Sequence, residues 1–415
     1  MNMEEKRSAS VAEPKEIGRS APRYPATKAL ALLAAGLILV GAPLAGVLMK
    51  GERPLDYLDF PPVARHVAHA PFSMPVFAML AILTIAILAP FIGQMLKRGI
   101  CTSGSAPFSC HAGGGHPPVR DAGFPPWGWL GIGLAALSWM MAWTRFNWFE
   151  SLQPFTFPTL WLGYIVTANA LVQKRTGSCM LSADPCGFAL LFPISSAFWW
   201  FFEYLNRFVC NWYYIGVENF SPGRYVLFAS LCFATVLPAV SATAALLASF
   251  PRLSCTGLRE FLRWPGYSSM KAGWSLLAVS SAGLVCLPVF PDVLFPLLWL
   301  APFMVAVGVR AVASHPPPFP EMERGDWTRV AQWALAALIC GFFWEMWNFY
   351  SLPKWKYDVP FVNRFHIFEM PLLGYAGYLP FGLECAVVAE AAAVFGAAIR
   401  RRRGAAKTGA EAIVK

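Results

Sequence analysis

About ten runs of apolar residues dictate what this chain can become. They lie near 27–49, 72–96, 127–144, 158–173, 187–207, 225–249, 272–289, 293–310, 328–349 and 373–397, with charge confined to the stretches between them. A bilayer core needs about 20 apolar residues per helical crossing. Inside it every backbone polar group must be satisfied within the protein, so such segments cross as α-helices. Charged residues make up 13% of the sequence, against roughly 25% in soluble domains, which excludes a water-soluble globule. The expectation is an all-α, polytopic transmembrane helical bundle of about ten spans. No strand alternation or coiled-coil heptad stands out.

The formal charge of +10 is a membrane signature, not a nucleic-acid one. Lys and Arg collect at one set of alternating helix ends, as the positive-inside rule requires of cytoplasmic loops. Those ends hold Lys97, Arg98 and Arg120, then Lys174 and Arg175, then Arg252, Arg259, Arg263 and Lys271, and finally Arg400 to Arg403. The opposite ends are sparser, with Lys50, Arg53, Arg207 and Arg224 among them. Both termini are therefore expected in the cytoplasm, in a multi-pass protein of the cell membrane. Residues 1–25 are polar and predict a disordered cytoplasmic tail. Residues 26–98 carry two N-terminal transmembrane helices, and residues 398–415 form a basic cytoplasmic tail. The first apolar run is too long for a signal-peptide core and reads as an uncleaved anchor.

An internal repeat organises the rest. Phe198-Trp199-Trp200-Phe201-Phe202-Glu203-Tyr204-Leu205-Asn206 returns about 140 residues later as Gly341-Phe342-Phe343-Trp344-Glu345-Met346-Trp347-Asn348. Each copy closes an apolar helix with a Glu and an Asn at i and i+3. Phe157-Pro158-Thr159-Leu160-Trp161-Leu162 opens one span and Phe295-Pro296-Leu297-Leu298-Trp299-Leu300 opens a later one. The sequence thus predicts two tandem parallel four-helix units, 127–249 and 271–397.

The residues that carry chemistry gather at the non-cytoplasmic face. Arg145 follows the third span. Glu203, Asn206, Trp212 and Tyr214 follow the fifth, and Glu345, Asn348, Lys354, Trp355 and Glu369 follow the ninth. Ionisable residues inside a membrane are expensive and point to function by default. Residues at i and i+3 share a helix face, so each Asn is positioned to donate to its Glu and hold its rotamer. Three readings stay open. One is an aromatic belt with charges at headgroup depth. Another is helix–helix glue, since Glu203 and Arg207 have the favourable i, i+4 order. The third is acid chemistry: a desolvated carboxyl keeps its proton and can deliver it, while aromatic faces stabilise a developing cation. Glu345 fits the acid role best, its i+4 neighbour being Phe349. Asn348 would orient it. Glu203, Asn206 and Glu369 would complete the catalytic set, and Trp344, Trp347, Trp212, Tyr214 and Trp355 would line the substrate site. Arg145 and Lys354 would hold a phosphate or carboxylate headgroup.

Smaller features add little. Cys101, Cys110, His111 and His116 share a Gly/Ser-rich loop whose spacing matches no tight metal pattern, so no metal site is expected. Neither is a disulfide framework. His66 and His69 read as a surface pair, Glu390 as a partner for Arg400 to Arg403, and Glu384 as a further buried acid. No nucleotide fingerprint or hydrolase elbow occurs, and the acid chemistry requires no cofactor.

In pattern the chain resembles the integral-membrane carotenoid and terpene cyclases of the heterodimeric lycopene cyclase type. Phe343-Trp344-Glu345 stands for that family's aromatic-acidic helix end, and Phe368-Glu369-Met370-Pro371 for its Pro-acidic element; the first unit offers Phe202-Glu203, then Glu218 with Pro222. The resemblance implies a cofactor-independent cyclase or hydratase acting on an isoprenoid or other membrane lipid. Two other classes stand beside it. One is a transporter or channel with Glu203 and Glu345 on the proton or solute path. The other is a non-catalytic scaffold that binds a membrane-protein partner through its aromatic face.

Overall fold

The computed structural model describes residues 24–62, 66–97, 123–254 and 257–413. Most of the expected 1–25 tail and the whole Cys101/Cys110/His111/His116 cluster fall outside these residues. The principal helices, numbered here in chain order, are α1 (Leu30–Met49), α2 (Met74–Leu96), α3 (Pro126–Trp143), α4 (Thr156–Thr176), α5 (Pro185–Val209), α6 (Pro222–Ala248), α7 (Met270–Cys286), α8 (Leu297–Val312), α9 (Thr328–Asn348) and α10 (Tyr378–Ile413). Among the described residues seven helical segments are long and apolar enough to cross a membrane, and they contain α1, α2, α4, α5, α6, α9 and the apolar part of α10. The three remaining expected spans are helical but different: α7 and α8 are apolar yet only 17 and 16 residues long, and α3 falls outside the set of seven.

Helix starts follow from local chemistry. Asp184 caps α5, its Oδ1 accepting from Gly187 N at 2.9 Å, with Pro185 in the first turn. Arg400 from α10 grips the same carboxylate at 2.9 and 2.7 Å. Ser221 caps α6 and Ser269 caps α7 in the same manner. The expected partners of Glu390 are Arg400 to Arg403, of which the side chains of Arg402 and Arg403 lie outside the described residues. Among the described residues it meets Arg310 of α8 at 2.8 Å and Arg329 of α9 at 3.6 Å, which project from neighbouring helices at its level, while Arg400 is taken by Asp184.

Broken helices are repaired by buried polar atoms, as lipid demands. The backbone of α6 is interrupted near Ala234 and Thr235. There the buried Ser195 of α5 donates to Phe233 O (2.6 Å) and accepts from Leu237 N (2.9 Å). Pro302 removes one donor from the hydrogen-bond ladder of α8, and the next amide, Phe303 N, donates to Glu384 Oε1 of α10 at 3.2 Å. Glu384 is thus used as a backbone patch.

Two helix pairs approach closely through glycine. A Cβ on Gly163 of α4 would collide with the backbone of Gly131 and Ala135 in α3, and one on Gly273 of α7 would meet Gly308 and Ala311 in α8. Small residues at such crossings let the two backbones touch. The centre of the bundle is aromatic: Phe202 stacks on Trp299 at 5.1 Å and Phe381 crosses both rings edge-on.

The sequence shows no strand signal, yet four short strands form. β1 (Trp212–Ile215) follows α5 and β2 (Lys354–Tyr357) follows α9; they pair antiparallel, with Trp212 opposite Tyr357 and Tyr214 opposite Trp355. β3 (His366–Ile367) pairs with β4 (Met370–Pro371) just beyond. Replacing Gly163 with Leu is expected to lower stability by about 1–3 kcal/mol through overpacking. Gly133→Ala on α3, where a Cβ has open space, is expected not to lower the melting temperature in detergent, since Ala favours a helix over Gly.

Candidate functional site

The two Glu/Asn elements end α5 and α9, and both are sealed from solvent: Glu203 is 1% exposed, and Asn206, Glu345 and Asn348 are 0% exposed. Each Asn holds the strand that follows it. Asn206 Nδ2 donates to Trp212 O at 2.8 Å, and its Oδ1 accepts from Asn211 N at 2.9 Å. Asn348 Nδ2 donates to Trp355 O at 2.8 Å, and its Oδ1 accepts from Trp355 N at 3.0 Å. The expectation that each Asn orients its neighbouring Glu is therefore corrected. The chain turns back at each helix end, its buried backbone groups must be paired, and the Asn amide is spent on them.

The carboxyl groups are held by aromatic donors instead. Glu203 Oε1 accepts from Trp199 Nε1 (3.1 Å), Trp212 Nε1 (3.0 Å) and Tyr214 OH (2.5 Å). Glu345 Oε1 accepts from Tyr357 OH (2.8 Å) and Tyr378 OH (2.6 Å). Trp355 Nε1 then donates to the Tyr357 hydroxyl at 2.8 Å. In both Glu residues Oε2 is buried without a hydrogen-bond partner among the described residues. Burial pushes the Tyr214 and Tyr357 hydroxyls well above the usual phenol range, and the adjacent Glu adds to the effect. Both phenols stay neutral donors, and neither serves as a base.

These donors form the wall of one cavity of about 490 Å³. Trp199, Trp212 and Tyr214, which hold Glu203, line it together with Tyr357 and Tyr378, which hold Glu345. The carboxyls themselves stand one layer behind. α2 supplies a further wall through Leu80, Thr84, Ile87 and Leu88, although none of its own residues is buried. The cavity therefore lies between the paired strands and a loosely packed membrane helix.

Of the other residues expected at the site, Trp344, Trp355 and Lys354 line the cavity. Trp347 does not; it packs on Trp161 and Phe343, with ring centroids 4.9 and 5.0 Å away. Arg145 is spent on carbonyls, donating to Ala142 O at 2.7 Å, Thr144 O at 2.8 Å and Tyr350 O, so it is no free headgroup ligand. Lys354 is ion-paired with Glu369 and donates to Phe349 O at 2.9 Å. Glu369 thereby serves Lys354 and does not reach the cavity wall. Arg207 turns away from Glu203 and donates to the carbonyls of Asp56, Asp59 and Pro61, which removes the glue reading for that pair. His66 and His69 lie in a segment without regular secondary structure and meet Asp358 and Asp292 at 3.1 and 2.7 Å.

Asn211 and Tyr357, which the sequence places at the same face without a role of their own, also line the cavity, as do Trp199, Tyr225, Trp299 and Tyr378, which carried no expectation as site residues. A signal for Tyr357 was present: Trp212-Tyr213-Tyr214 and Trp355-Lys356-Tyr357 share a Trp-x-Tyr spacing after the Glu/Asn element. Tyr378 had none, since it reaches Glu345 from another helix. No cluster of three metal-ligating side chains occurs among the described residues. No family model matches the chain, and neither does a curated protein or a solved structure. Asn348→Ala leaves the Trp355 amide and carbonyl unpaired and is expected to cost about 1–3 kcal/mol. The melting temperature of the purified protein should fall accordingly, whereas Gly133→Ala at an open helix position should not lower it.

Proposed function

We propose that this integral membrane protein is an enzyme that draws an isoprenoid or other lipid-soluble molecule into the aromatic cavity and transforms it by acid catalysis, as a cyclase or hydratase. One observation carries the reading: two sealed carboxyls from separate helices are each hydrogen-bonded to phenols that line the same hollow. In this reading the phenols meet the ligand and the carboxyls supply the proton. A bonded phenol, which donates to Glu345 at rest, first turns its hydroxyl toward the ligand; it then passes its own proton to a ligand double bond and takes the Glu345 proton in its place, leaving a carbocation on the ligand and a carboxylate on Glu345. Loss of a neighbouring ligand proton, or capture by water with release of one, restores the carboxyl. The surrounding rings of Trp212, Trp344 and Trp355 stabilise the cation in between.

The same proposal takes the chain as two anchoring helices followed by tandem parallel units, 127–249 and 271–397, with α3, α7 and α8 also crossing and both termini cytoplasmic. Its supports are the matched Asn clamps, the matched Trp-x-Tyr strands and the two glycine-packed pairs α3/α4 and α7/α8. The lysine and arginine distribution supports the orientation.

The test is lipid mass spectrometry of membranes carrying the native chain, Glu345→Gln, Tyr357→Phe, or no chain. The native protein is expected to change the terpenoid profile. Glu345→Gln should lower that conversion about 10²-fold or more, the range for loss of a general acid, and Tyr357→Phe should lower it less. Full conversion by Glu345→Gln would end the acid role. An unchanged profile together with Glu-dependent solute flux in proteoliposomes would point to transport.

A further inference from the structure

The cavity wall holds two buried polar side chains that the Glu clamps do not use. Asn211 and Tyr225 both line the cavity, each only 4% exposed. Asn211 Oδ1 and the Tyr225 hydroxyl have no hydrogen-bond partner among the described residues. By contrast, the Trp212 indole and the Tyr214, Tyr357 and Tyr378 hydroxyls that share the wall are already engaged with Glu203 or Glu345. Burying a polar group unpaired is unfavourable, and a site built around such groups rejects ligands that leave them unpaired. The chemistry of these two groups therefore selects what enters.

We infer that the cavity binds a neutral lipid alcohol, with its hydroxyl as the polar anchor at Asn211 and Tyr225; this rests on the cavity being the lipid site proposed above and adds the class of its occupant. Three exclusions lead there. A pure hydrocarbon pairs with neither group. A ketone, ether or ester accepts hydrogen bonds but gives none, so it leaves the Asn211 acceptor empty. A phosphate or carboxylate brings charge to a wall where Lys354, the one charged lining side chain among the described residues, is already neutralised by Glu369 and bonded to Phe349 O. A hydroxyl both gives and accepts, as an amide and a phenol require, and it carries no charge. The rest of the wall, including Phe228, Phe233 and Leu300, suits an apolar chain.

The full-length protein in detergent can be titrated with farnesol, farnesyl methyl ether and farnesyl phosphate, with binding read by native mass spectrometry and thermal shift. Farnesol is expected to bind about tenfold or more tightly than either analogue. Asn211→Leu should erase that preference while leaving ether binding in place, and Tyr225→Phe should reduce it, giving a second readout if the Asn211 variant fails to fold. Equal binding of alcohol and ether, tighter binding of the phosphate, or an intact preference in both variants would overturn the alcohol assignment alone. Failure of all three ligands to bind would overturn the lipid-site reading and this inference with it.

Discussion

Two carboxyl groups sit sealed among apolar helices, and the strands, the Asn clamps and the cavity are all arranged around them. A desolvated carboxyl without partners is severely unfavourable, and the chain meets the problem with indole N–H and phenol O–H donors. Glu203 takes three of these on one oxygen and Glu345 takes two. Aromatic donors suit the task because the remainder of each ring is itself apolar and packs into the bundle. Arginine partners would have brought a second buried charge. Arg207, which lies close in sequence, is drawn off to carbonyls of the loop before α2.

Supplying those donors shapes the chain beyond the helices. The rings on Glu203 come partly from β1 and those on Glu345 partly from β2, so both strands must be held against helix ends. The Asn residues three positions after each Glu do this through backbone hydrogen bonds. Antiparallel pairing then joins the two assemblies. Alternation along the strands puts Trp212, Tyr214, Trp355 and Tyr357 on the cavity side and Tyr213 and Lys356 on the other. The cavity is the space that these rings leave between the two carboxyl assemblies.

Much of the architecture was legible in the sequence. Each of the seven long apolar helices overlaps an expected run, because a requirement for about 20 apolar residues leaves a plain signal. The shortness of α7 and α8 was less visible, since Pro and Phe near 288–296 extend the apolar run beyond the helices. Glu203, Glu345 and their Asn neighbours stood out as ionisable or amide groups in apolar helices, and the structure seals all four. Their partners did not stand out. Four-residue strands after a helix end carry too little periodicity to announce themselves, and the Asn roles depend on a chain reversal that spacing alone cannot reveal. Tyr378 meets Glu345 across 33 residues, and Asn211 and Tyr225 become notable only once their lack of partners is visible.

Two strands join the Glu203 and Glu345 assemblies around one cavity, and cross-strand disulfide trapping reads out that pairing. Tyr213 and Lys356 are opposite one another and face away from the cavity, so Cys at both positions reports the pairing without disturbing the carboxyl clamps. Directly opposed strand residues lie within disulfide range. Mild oxidation of membranes carrying Tyr213→Cys with Lys356→Cys should join the two halves of the chain after proteolysis between the strands, and neither single variant should do so. Separate fragments from the oxidised double variant, with both thiols still open to maleimide, would contradict the pairing and with it the shared cavity.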